Sequence, residues 1–114
     1  MFQETVQERN EHGHSMVPTF LIERHRNSDN LHLRLTGVFD EEAALSLLEE
    51  LHKHRASVGK IFIHTAALRE VLAQGAGMFR NQLASLDRPA AEIIFTGERG
   101  EELALKGPGI RFIK

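Results

Sequence analysis

Lys60-Ile-Phe-Ile-His-Thr65, followed ten residues later by Gly75-Ala-Gly-Met-Phe79, is the stretch whose reading decides the fold. The first segment follows Gly59 and is short, apolar and dense in β-branched and aromatic residues, which predicts a strand buried on both faces. Met78, Phe79, Leu83 and Leu86 recur at helical spacing, predicting a helix from Gly75 that Asp87-Arg88-Pro89 stops. Ala66 to Gln74 joins the two and is long enough to expose several residues at the carboxyl edge of a sheet. Open α/β sheets place their working parts at that edge.

Upstream, Thr19-Phe-Leu-Ile-Glu23 predicts a strand, and the turn-rich Arg26-Asn-Ser-Asp-Asn30 predicts a hairpin into Leu31-His-Leu-Arg-Leu-Thr36. That second arm alternates, setting Leu31, Leu33 and Leu35 toward a core and His32, Arg34 and Thr36 away from it. Asp40 is suited to cap a helix running to about Arg55, with Glu41 and Glu42 favouring its start and Lys53, His54 and Arg55 its end. Ala44, Leu47, Leu48 and Leu51 then face inward, and Glu49, Glu50 and Lys53 outward. Downstream, Ala91-Glu-Ile-Ile-Phe-Thr96 predicts a strand, Glu98 to Lys106 a short helix broken by Gly107-Pro-Gly109, and Ile110-Arg-Phe-Ile113 a last strand. The order β-β-α-β-α-β-α-β implies an α/β fold, a mixed and mainly parallel sheet with helices packed on it. Residues 1–17 are polar and read as a flexible leader, leaving 18–114 as one domain.

Composition narrows the function classes. Lys and Arg number 14 against 16 for Asp and Glu, a formal net charge of -2, without the basic stripe that a nucleic-acid binder needs. No apolar run approaches the roughly 20 residues of a membrane span, and Glu4, Glu8 and Glu11 stand where a signal peptide would be apolar, predicting a cytoplasmic protein without membrane insertion. The chain has no cysteine, which removes disulfides and thiolate chemistry.

Leu33-Arg-Leu-Thr-Gly-Val-Phe-Asp40 with its Ala- and Leu-rich helix, then Ile61-Phe-Ile-His-Thr65 and Gly75-Ala-Gly-Met-Phe79, resembles the STAS domains of anti-sigma-factor antagonists and sulfate transporters over about residues 19 to 113. The resemblance implies a non-enzymatic interaction domain that docks a protein, an anti-sigma factor or kinase-like regulator, with no cofactor. In that family a Ser or Thr at the start of the second helix, in an Asp-Ser-Ser-Gly type motif, accepts phosphate. Aligning the motif's glycine with Gly75 leaves Leu72, Ala73 and Gln74 in place of the acidic residue and the two hydroxyls. His64 stands where the third strand often ends in Asp. The implied partner-binding set is Asp40, Thr65, Arg69, Glu70, Ala73, Gln74, Gly75, Glu98 and Arg99, in a member with no phosphoacceptor.

Other readings compete. Met78 and Phe79 could line an apolar pocket for a lipid or nucleotide. His64 at a strand's carboxyl end could be a general base, but no nucleophile stands beside it and a hydrogen-bonded structural histidine is the plainer reading. His52 and His54 diverge on a helix and His12-Gly-His14 lies in the leader, so no metal site is expected. Gly75-Ala-Gly77 lacks the rest of a phosphate-binding fingerprint and reads as close helix packing. A free edge strand would leave room for dimerisation.

Overall fold

The computed structural model describes residues 2–8 (as backbone), 19–85, 91–104 and 110–113. Its antiparallel part is a hairpin of β2 (Phe20–Asn27) and β3 (Asn30–Phe39). The predicted five-residue turn contracts to Ser28 and Asp29, because Asn27 and Asn30 still pair; Ser28 takes φ 59°, as a two-residue hairpin turn requires. The alternation of β3 holds: Leu31, Leu33 and Leu35 are buried with Phe20 and Ile22 on one face, and His32 and Arg34 stand on the other. Gly37 sits where β3 bulges, with φ 104°, and a Cβ there would lie 2.1 Å from the Thr19 carbonyl oxygen. No other residue fits.

β1 (Phe2–Glu8) pairs antiparallel with the outer edge of β2, so the stretch read as a leader contains a strand. Residues 9–18, with His12 and His14, lie outside the described residues.

α1 (Glu41–His54) begins where expected, with Asp40 Oδ1 accepting from the Ala43 amide at 2.9 Å. Ala43, Ala44, Leu47, Leu48 and Leu51 pack onto the sheet. Glu50, predicted on the outer face, is 3% exposed. Arg24 projects from β2 on the helix side and brings its Nε to 3.2 Å from Glu50 Oε1, while His54 Nε2 lies 3.4 Å away. A buried carboxylate needs such partners.

β3, β4 (Lys60–His64), β6 (Glu92–Thr96) and β7 (Ile110–Ile113) pair in parallel, giving the order β1-β2-β3-β4-β6-β7. α1, α2 (Ala73–Ser85) and α3 (Gly100–Leu103) make the three crossings. α3 is shorter than the helix expected over 98–106, and the predicted stops at 87–89 and 107–109 lie outside the described residues. Two departures bear on function. Within the connection expected to be loop, Leu68–Val71 forms β5, parallel to the end of β3, and α2 starts at Ala73 rather than Gly75. β4 is buried on one face only: Ile61 and Ile63 are fully buried, but Phe62 and His64 are half-exposed, because among the described residues the helices all pack on the opposite face.

Phe20, Phe39, Phe79 and Phe95 form an edge-to-face chain through the core, with successive ring centroids 5.9, 5.9 and 6.1 Å apart. Phe79 joins α2 to both β3 and β6. Replacing it with alanine should cost about 3–5 kcal/mol, visible as a lower urea midpoint with an unchanged slope.

Candidate functional site

The parallel strands β3, β4 and β6 end at Asp40, Thr65 and Gly97, so the sequence-predicted residues share one sheet edge. They fall into two groups. In the first, α1 and α2 begin side by side. A Cβ built on Gly75 would lie 2.5 Å from the carbonyl carbon of Asp40 and 2.6 Å from its oxygen, so the first turn of α2 rests directly on the capping residue of α1. The Leu72 amide donates to the Phe39 carbonyl at 3.0 Å, and the Ala76 amide to the Leu72 carbonyl at 3.0 Å, fixing that turn to the end of β3. The result is a cleft of about 200 Å³ lined by Asp40, Glu41, Glu42, Leu72, Gln74 and Gly75. Leu72, Ala73 and Gln74 are exposed at its rim, and Leu72 is one of the exposed large apolar side chains.

In the second group, Arg99 Nη2 donates to the Arg69 carbonyl at 3.2 Å, joining the turn after β6 to β5, and Arg99 Nη1 is 3.2 Å from Glu102 Oε2. Glu70 and Glu98 are exposed nearby in sequence.

Two of the nine residues are buried and cannot meet a partner themselves. Thr65 is 0% exposed: its amide and hydroxyl both donate to the Thr96 carbonyl, at 3.0 and 2.7 Å, clamping the ends of β4 and β6. Gly75 is covered by Asp40. Conversely, Glu41, Glu42 and Leu72 line the cleft, although the sequence marks them only by helix-starting or motif position. Their adjacency to the cap and to Ala73 was the available signal. Phe79, placed at a pocket wall in the small-ligand reading, fills the core instead, with Met78 packed against it.

His64 emerges at the carboxyl end of β4 as expected, hydrogen-bonded on both ring nitrogens: Nε2 to His32 Nδ1 at 2.8 Å and Nδ1 to Thr96 Oγ1 at 2.7 Å. Burial, then the neighbouring His32, lowers its pKa below the ordinary 6.5. Among the described residues no group of three or more His, Asp or Glu could hold a metal ion, and no helix is long and apolar enough to cross a membrane.

No family model matches the sequence, and no curated protein matches it. Among solved structures, the anti-sigma factor antagonist SpoIIAA in its unphosphorylated form is similar, with a TM-score of 0.50 and 17% identity over 66% of this chain and 71% of that one. The fold is STAS-like. At that identity the likeness is one of architecture, and it agrees with a mixed, mostly parallel sheet carrying its helices. In this STAS-like frame Ala73 opens the second helix.

The Gly75–Asp40 contact makes a paired prediction. Gly75→Ala should lower stability by about 1–3 kcal/mol, because backbone on both sides must shift. Gly77→Ala, whose Cβ would meet nothing within 4 Å, should raise it by about 0.5–1 kcal/mol through helix propensity. Denaturant titration of the two variants separates close approach from a general intolerance of side chains in this turn.

Proposed function

We propose that this chain is a non-enzymatic, STAS-like adaptor that docks a regulatory protein, of the anti-sigma-factor or kinase-like kind, at the carboxyl edge of its sheet. The docking surface runs from Asp40, Glu41 and Glu42 across Leu72, Ala73 and Gln74 to Arg69, Glu70, Glu98 and Arg99. The observation that carries the reading is the exposed first turn of α2, held against Asp40 by Gly75, whose residues carry no hydroxyl. A phosphate there would add close to two negative charges beside helix amides, and leucine, alanine and glutamine cannot accept it. Binding is then not switched by phosphorylation in this turn. Leu72 supplies an apolar contact and the surrounding carboxylates an acidic rim, which suits a partner face of basic residues around an apolar patch.

Affinity capture from the source cell should recover a regulatory protein in stoichiometric amount. The exchange Leu72→Asp should weaken binding of the purified partner by about tenfold or more, and Arg69→Glu should weaken it as well, with the urea midpoint unchanged for either variant. Equal binding by the Leu72→Asp variant would place the interface elsewhere. Incubation with a STAS-directed kinase and ATP should leave residues 72–77 unphosphorylated, as read by mass spectrometry.

A further inference from the structure

The helix-free face of the sheet carries a hydrogen-bonded chain that docking does not use. His32 of β3, Phe62 and His64 of β4 and Thr96 of β6 stand on it together. The two imidazoles are parallel to within 1°, with centroids 5.1 Å apart and Nδ1 of His32 2.8 Å from Nε2 of His64. An imidazole's N–H and lone pair both lie in the ring plane, so parallel rings at this spacing direct a donor straight at an acceptor. Phe62 stacks on His32 at 4.6 Å and 5°, covering one side of that ring. His64 continues to Thr96 Oγ1. The second nitrogen of His32, Nε2, is left at the outer end of the chain, and His32 and His64 both line a cleft of about 290 Å³ with Glu23, Arg24, His25 and Arg34.

Counting protons shows what such a chain can hold. When both rings are neutral, the protons can run either way: Thr96 to His64 to His32, or the reverse, with His32 Nε2 then a bare acceptor. One added proton on His32 Nε2 keeps every bond, since Nδ1–H donates to His64 Nε2 and His64 Nδ1–H donates to Thr96. A second added proton sets two N–H groups against each other across 2.8 Å. The link between β3 and β4 on this face must then break.

We propose that His32, His64 and Thr96 form a one-proton clasp that holds β3, β4 and β6 together on the helix-free face and opens when a second proton is forced onto it. His64 is followed directly by Thr65, whose amide and hydroxyl are bonded to the Thr96 carbonyl. Opening therefore loosens the point from which the chain departs toward β5 and α2. Burial lowers the pKa of both rings, and so do their neighbours, His25 for His32 and His32 for His64. The folded chain thus binds fewer protons than the unfolded one, whose rings take them up near pH 6.5. The clasp leaves stability unchanged above that pH and costs stability as pH falls below it, through the depressed folded values. Among the described residues, the other charged or titratable groups on this face are Glu23 and His25 of β2, Arg34 of β3, Lys60 of β4, Glu70 of β5, Glu92 of β6 and Arg111 of β7, and Arg24 of β2 lines the same cleft. Arg34 is ion-paired with Glu23 and Arg111 with Glu92, both at 3.0 Å. In register, β1 sets the uncharged Gln3 opposite His25.

The test is an imidazole nitrogen and carbon NMR titration of the full chain from about pH 8 to about pH 4.5, and it needs no partner. The expected result is a first step in which the His32 and His64 signals move together, and a second, separate step at lower pH in which exchange of the Thr65 amide accelerates by about tenfold or more. In the variant His32→Phe, which keeps a ring on Phe62, His64 should titrate in one step. Two independent single-step curves in the unaltered chain would overturn the clasp, as would a Thr65 amide whose exchange does not change through the second step.

Discussion

Asp40 and Gly75 approach so closely that no side chain fits between them, and the arrangement of the carboxyl edge follows from that contact. Asp40 ends β3, caps α1 and serves as the floor on which α2 begins, so one residue fixes the relative position of a strand and two helix starts. The Leu72 amide on the Phe39 carbonyl adds the hydrogen bond that such an approach permits. Phe79, one turn further along α2, then falls between Phe39 and Phe95, and the helix is committed to the core. A turn exposed by this means is tied to the end of β3 without being buried, as the proposed docking surface requires.

Much of this was legible because short-range chemistry decided it. Leu31, Leu33 and Leu35 alternate with polar residues, and a strand with one buried face can do little else. Asp40 before Glu41 and Glu42 is a helix start on local grounds alone. What escaped reading was set by pairing between distant segments. β5 has only four residues, with Leu68 alone fully in the core, and it exists because β3 runs on past its contact with β4 and offers an unpaired edge beyond the Gly37 bulge. β1 takes its pairing from the outer edge of β2 rather than from any apolar run of its own. Glu50 looked like an outward residue by helical period, and its burial depends on Arg24 from another strand.

The candidate site divides along the same line. The residue types at the start of α2 could be read from position and composition, including that Leu72, Ala73 and Gln74 carry no hydroxyl. Which of the chosen residues are contacts and which are props could not. Thr65 follows a central strand, yet parallel pairing of β4 with β6 turns its hydroxyl inward onto the Thr96 carbonyl. The sequence neighbours of His64 do not reveal what it bonds; its partner His32 stands 32 residues earlier, diagonal to it across β3 and β4, where Arg34 is the residue directly in register.

Amide hydrogen exchange on the isolated chain tests the central contact most directly. If α2 is seated on Asp40 as described, the amides of Leu72 and Ala76 should be protected to nearly the level of the β3 and β4 core, exchanging only when the domain opens as a whole. Exchange of Leu72 and Ala76 at the rate of an unstructured peptide, with the core still protected, would mean that the helix start is not held there and would contradict the account.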